Sequence, residues 1–255
     1  MLTAAPAQDT RKTVTIVFSD LVGSTSLGEA LDPESVREVL ASYFDRMQAV
    51  LERHGGTVEK FIGDAVMAVF GLPHLHEDDA LRAVRAAWEM QAALSQLNDQ
   101  LKARWGVRLT SRTGVHTGEV VAGDPSAGQR LVTGDTVNTA ARLEQAAPPG
   151  AVLLGETTWR LVREFTQAEP IGPLTVKGKA ERISAYRPMA MTRSCPGGLR
   201  SPPAGAGSRA HDEPVQHTNW TVEERLPLVA SSGHPLAVAM VRSLSAYGRR
   251  LPELS

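Results

Sequence analysis

The chain has 255 residues, 42% of them hydrophobic and 22% charged, with 27 Lys and Arg against 28 Asp and Glu for a net charge of −1. That length allows one or two domains, and the near-neutral balance excludes the clustered basic surface that a general grip on nucleic acid needs. A single Cys excludes an internal disulfide and an all-Cys zinc site, no apolar run approaches the ~20 residues of a membrane span, and the start MLTAAPAQDTRKT lacks a signal peptide's apolar core. The expectation is a cytoplasmic protein with no membrane and no nucleic-acid partner.

Residues 1–12 are expected to be disordered. Thr13–Asp20 is β-branched and apolar and reads as a strand. A helix follows, with Asp32 as its N-cap, Pro33 at the first helical position, and Val36, Val39, Leu40, Tyr43, Phe44, Met47, Val50 and Leu51 at helical spacing up to Gly55-Gly56. Two short apolar runs, Thr57–Ile62 and Ala65–Phe70, meet at Gly63-Asp64 and form a hairpin. A second long helix is expected from about Glu77 to Ala103, with Leu81, Val84, Trp88, Leu94, Leu97 and Leu101 on its apolar face. A strand pair over Val107–His116 and Glu119–Ala122 turns at Thr117-Gly118. A helix from Thr136 to Ala147 takes Asp135 as its N-cap and stops at Pro148-Pro149-Gly150. Smaller strand and helix pieces fill 151–187.

Composition changes near residue 190: every Lys, Phe and Ile lies before it. The Pro/Gly/Ser-rich stretch from Cys195 to Ser208 reads as a linker, and only Leu236 to Leu244 beyond it shows a helix-like apolar cluster. Residues 13–189 are therefore expected to be one folded domain and 190–255 a mostly disordered tail. The order strand, helix, hairpin, helix, strand is the βαββαβ of a ferredoxin-like core, an α+β fold with one antiparallel sheet covered by helices on one face.

Asp20 ends the first strand and Asp64 sits at the hairpin turn. In a βαββαβ core the first strand lies beside the third, so the two carboxylates can converge at one edge. Two hard oxygen ligands suit Mg²⁺ or Mn²⁺, which take further ligands from substrate phosphates. Gly23, Ser24 and Thr25 follow Asp20 in a turn able to present N–H groups and hydroxyls to a phosphate. Singly, each aspartate reads as an ordinary turn or cap residue.

These residues carry a resemblance. Phe18-Ser-Asp20-Leu-Val-Gly-Ser-Thr25 and Val58-Glu-Lys-Phe-Ile-Gly-Asp64-Ala-Val-Met-Ala-Val-Phe70 resemble the catalytic domain of class III nucleotidyl cyclases. Gly134-Asp-Thr-Val-Asn138-Thr-Ala-Ala-Arg142-Leu-Glu144 resembles that family's other signature, and Val176-Lys-Gly-Lys179 its last one. The resemblance spans residues 13–188, is nearest to actinobacterial-style domains, and comes without a Walker-type phosphate loop.

What it implies is an adenylate cyclase that converts ATP to 3′,5′-cyclic AMP and pyrophosphate, with two Mg²⁺ or Mn²⁺ ions held by Asp20 and Asp64. Lys60 matches the family's base-recognising lysine and favours ATP. Asn138 and Arg142, at i and i+4 on one helix face, match the transition-state pair. Lys177 matches the lysine on the β- and γ-phosphates, and Lys179 is a weaker match. Leu131 departs from the family's hydrogen-bonding residue for the base, so either a backbone carbonyl or Thr133 takes that role, or selectivity between ATP and GTP is weak. The family implies a homodimer in which Asp20, Lys60 and Asp64 of one protomer meet Asn138 and Arg142 of the other. The alternatives are a guanylate or mixed-specificity cyclase, or a catalytically weak nucleotide-binding and dimerising module. His74-Leu-His76-Glu-Asp-Asp79 reads as the acidic first turn of a helix rather than a metal cluster, because its spacing fits no standard zinc pattern.

Overall fold

The computed structural model describes residues 10–122, 132–174 and 182–192. Strand β1, Thr10–Leu21, leads through a 3-10 turn, Ser24–Ser26, and the short helix α1, Leu27–Ala30, into α2, Pro33–Arg53. Asp32 caps α2 as expected: its carboxylate accepts from the Ser35 amide at 2.9 Å. The hairpin forms as β2, Thr57–Ile62, and β3, Ala65–Phe70, with Gly63 at φ 66 in the connecting turn, a conformation glycine adopts without steric cost.

Helix α3 runs Asp79–Trp105, two residues later at each end than the apolar spacing indicated, and Gly106 (φ 71) closes it. At its start the Asp79 carboxylate accepts from the His76 amide at 2.7 Å, so the acidic run serves a helix start. Trp88 is 40% exposed and not part of the core; Met90 and Ala87 take that side of the buried stripe.

The expected strand pair around Thr117-Gly118 does not form. A single strand, β4, Ser111–Ala122, runs straight through, paired along its whole length with β1. Gly118 serves close packing rather than a turn, because a Cβ there would lie 2.6 Å from Thr136 Oγ1. Thr117 is bonded on both sides, to Thr15 at 2.9 Å and to Thr158 at 3.0 Å. Val107–Thr110 is not strand; Asn98 holds Leu109 there, donating to its carbonyl (2.8 Å) and accepting from its amide (2.7 Å).

After the short β5, Val132–Thr133, helix α4 spans Asp135–Ala146. Its N-cap is Gly134 (φ 146), not Asp135, which is the first helical residue. Strand β6 (Val152–Gly155), helix α5 (Glu156–Val162) and strands β7 (Thr166–Leu174) and β8 (Ile183–Met191) complete the described fold.

The eight strands form one sheet in the order β2-β3-β1-β4-β6-β8-β7, with β5 against β4. Its first four strands have the ferredoxin-like order, and the fold is α+β. The sheet is mixed rather than antiparallel throughout, because β4 and β6 pair in parallel. That pairing follows from α4: a helical crossover returns the chain in the same direction.

Helices also cover both faces instead of one. Alternation along β1 sends Val17 and Leu21 into the large core beneath α2 and α3, with Met47, Leu51, Leu94 and Leu101. It sends Val14 and Ile16 to the opposite face, where they pack with Met67, Val69, Val120 and Ala140 of α4. Gly114 permits that seating, since a Cβ would lie 2.2 Å from the Ala140 carbonyl oxygen.

Candidate active site

Asp20 stands at the end of β1 and Asp64 at the start of β3, and the β1–β3 ladder (Ser19 opposite Val66) brings the two ends together. Asp64 is 4% exposed and the Asp20 side chain 16%. The Asp20 carboxyl is pushed up to about 6, first by burial and then by the charge of Asp64 beside it, with Arg112 opposing. Two adjacent carboxylates, one of them (Asp64) with a buried Oδ1 lacking a hydrogen-bond partner, form a donor set suited to a divalent cation. Among the described residues no group of three or more His, Cys, Asp or Glu side chains is arranged to hold a metal, so the site offers two protein carboxylates and leaves room for other oxygen ligands.

The Gly23 turn adopts the left-handed conformation (φ 69) and carries Ser24 and Thr25 next to this edge. Ser24 was expected to face a phosphate. Its hydroxyl instead donates to Asp64 Oδ2, leaving Oδ1 free. Thr25 is exposed.

Lys60 is half-buried on β2, opposite Met67. A bulge between Val58 and Lys60 changes the pairing there, so Val58 aligns with Ala68 while Lys60 aligns with Met67. Met67 packs on the α4 side of the sheet and Ala68 on the other. The bulge therefore places Lys60 on the side of Phe18 and Asp20.

On α4, Asn138 is exposed and Arg142 half-buried, with its Nη1 buried and lacking a hydrogen-bond partner among the described residues. Leu131, Lys177 and Lys179 lie outside the described residues. Thr133, the other candidate at the base, is exposed on β5.

Two residues escaped the sequence reading. Arg112 on β4 lies opposite Asp20 in the ladder, and its Nη2 stands 3.4 Å from Asp20 Oδ2. Its Nε forms an ion pair at 2.5 Å with Oε1 of Glu144 on α4. Glu144 is 2% exposed and its carboxyl is pushed up to about 7, by burial first and then by the charge of Asp20. A signal was present: with β4 read as one strand, Arg112, Gly114, His116 and Gly118 alternate onto the face that Gly114 and Gly118 open to α4.

The domain is α+β, with paired carboxylates beside a glycine turn and an Asn/Arg helix on the same sheet face. The family described as the adenylate and guanylate cyclase catalytic domain matches residues 7–187. The chain is 31% identical over 189 residues to adenylate cyclase 1 of Rhizobium meliloti (strain 1021), an alignment covering 72% of this chain and 28% of that protein. The adenylyl cyclase CyaB from P. aeruginosa superposes with a TM-score of 0.69 at 31% identity, over 73% of this chain and 98% of that one. The guanylyl cyclase Cya2 superposes at 0.68 with 34% identity, over 72% and 95%. The chain belongs to the class III nucleotidyl cyclase family, and it spans less than a third of the length of the Rhizobium relative.

Proposed function

We propose that this domain is an adenylate cyclase, which converts ATP to 3′,5′-cyclic AMP and pyrophosphate as a homodimer with composite sites. The observation that carries this reading is the convergence of Asp20 and Asp64, with Asp64 Oδ1 left unpartnered. In this reading the two carboxylates hold two Mg²⁺ or Mn²⁺ ions. Once bound, the ions lower the pKa of the ribose 3′-hydroxyl and neutralise charge on the leaving pyrophosphate.

The chain's own residues do the rest. The 3′-oxygen attacks the α-phosphorus in line, the bond to the bridging oxygen breaks, pyrophosphate departs, and the hydroxyl proton passes to solvent or phosphate. Positioning and charge stabilisation supply most of the rate. Lys60 donates to the adenine ring. Asn138 orients the ribose, and the Arg142 guanidinium meets charge growing on the α-phosphate, where a planar fork is well suited. The buried, unpartnered Nη1 of Arg142 fits a role toward a group that only substrate or a second protomer supplies. Lys177 is assigned to the terminal phosphates.

A second reading, guanylate or mixed specificity, draws on Leu131, which offers no acceptor to an adenine amino group, and on the likeness to Cya2. The test is cyclic nucleotide production by the purified chain with Mn²⁺, using ATP and GTP separately. Cyclic AMP formed at least about tenfold faster than cyclic GMP, a 1.4 kcal/mol preference, supports the first reading. Comparable rates establish the second, and no product from either nucleotide refutes both. Sedimentation showing an active monomer refutes the composite site.

A further inference from the structure

Arg112 lies between two carboxylates and is held unequally by them. Its Nε is 2.5 Å from Glu144 Oε1, a close ion pair without hydrogen-bond geometry, whereas its Nη2 donates to Asp20 Oδ2 in a long hydrogen bond of 3.4 Å. A committed arginine–carboxylate pair closes to about 2.7–2.9 Å, often through two parallel bonds. Neither contact is bidentate, and the one to Asp20 is the longer, at 3.4 Å against 2.5 Å.

The position of Glu144 explains the inequality. Its side chain is 3% exposed, against 30% for Arg112 and 16% for Asp20. Among the described residues its only partner is Arg112. Gly114, two residues along β4 and on the same face as Arg112, brings it there: a Cβ at Gly114 would lie 2.4 Å from the Glu144 amide nitrogen. The close seat of α4 thus sets a buried carboxylate against the Arg112 guanidinium. A buried carboxylate that has one cationic partner holds it strongly, because separation leaves an uncompensated charge.

We propose that Glu144 is a positioning residue that tethers the Arg112 guanidinium away from Asp20 and so keeps that carboxylate open to a divalent cation. The inference rests on the metal reading of Asp20 and Asp64 given above. With the Glu144 charge gone, the nearest anion to Arg112 is Asp20. The guanidinium then closes onto the Asp20 oxygens, occupying them and setting a positive charge where a cation enters.

The experiment is a Mn²⁺ titration of the nucleotide-free full chain at a pH of about 8, above the raised Glu144 carboxyl so that it carries its charge, with free Mn²⁺ read by its EPR signal. It compares wild type, E144Q, R112Q, the double variant E144Q/R112Q and D64A. Each is measured at a temperature where its circular dichroism shows it folded. E144Q keeps the shape of the side chain and removes the charge. It is expected to weaken Mn²⁺ binding at least about tenfold, the scale on which outer partners of metal ligands act. Adding R112Q is expected to restore affinity to within about threefold of wild type, because no guanidinium remains to compete. A merely structural Glu144 would not give that rescue in a binding constant measured on folded protein.

Binding by E144Q within about twofold of wild type overturns the tether, as does a double variant as weak as E144Q. Should E144Q not fold, R112Q alone decides: affinity equal to or tighter than wild type supports the tether, and a tenfold loss overturns it. If wild type and D64A bind Mn²⁺ equally, the metal reading fails and this inference with it. If D64A loses binding and E144Q does not, only this inference fails.

Discussion

The two faces of the sheet are built differently. Beneath α2 and α3 lies a broad apolar core in which Met47, Leu51, Met90 and Leu101 are at most 1% exposed. Beneath α4 the apolar set is small, and polar groups border it: Asp20, Arg112 and Glu144. Apolar burial is non-directional and scales with area, so the first face stabilises the fold over many interchangeable contacts. The second face depends on a few close approaches, at Gly114 and Gly118, that set charged groups at defined distances. Adjacent residues divide the two tasks: Ser19 turns to a buried bond with Thr113 at 2.9 Å, and Asp20 turns to the site.

The comparison breaks most sharply at Asp64. D64A is expected to lower cyclase activity about 10³-fold or more, the scale of losing a preorganised charge-bearing group, while its thermal midpoint stays level or rises because the charge beside Asp20 is gone. A D64A protein that keeps full activity refutes the site. Leu101, 1% exposed on the other face, is expected to do the reverse. L101A should cost about 3 kcal/mol in urea unfolding, and the folded fraction should keep its kcat/KM.

Gly114 joins the two faces' properties. G114A should cost about 2 kcal/mol, since the new methyl overlaps the backbone of α4, and should also lower activity by lifting Glu144 off Arg112. Stability lost without activity would separate α4 packing from the site.

The smallest effect is in the pH dependence of the metal-free protein. Asp20 and Glu144 hold their protons up to about 6 and about 7, against 3.8 and 4.5 for unperturbed side chains. Between about pH 4.5 and 7 the folded chain therefore binds more protons than the unfolded one, and stability falls as pH rises. A loss of about 1 kcal/mol would lower the thermal midpoint by roughly 2–4 °C across that range, and D20N should flatten the slope. A midpoint that climbs from pH 4.5 to 7 contradicts this.

Most elements were legible from local chemistry. Asp32 with Pro33, the run from Val36 to Leu51, and Gly63-Asp64 between two apolar runs each act within a few residues, and each formed as read. The misreadings share a cause. Thr117-Gly118 looks like a turn until α4 is known to rest on Gly118. Trp88 fits the apolar spacing of its helix, yet it lies over a groove lined by Pro148, Pro149 and Met189 instead of the core. In both cases a partner distant in sequence decided the outcome.

The site divides the same way. Asp20, Asp64, Asn138 and Arg142 stand in short motifs whose residue types announce their chemistry. Arg112 and Glu144 stand 32 positions apart, and neither neighbourhood names the other. The sequence by itself determined the helices, the hairpin, the α+β class and the family, because periodicity, caps and motifs are properties of short windows. Only the tertiary structure decided that α4 covers the second face, that β4 and β6 run parallel, and that Arg112 is held between Asp20 and Glu144. Those depend on how closely a helix can approach a sheet, and that distance is set by side chains, or their absence, on strands far along the chain.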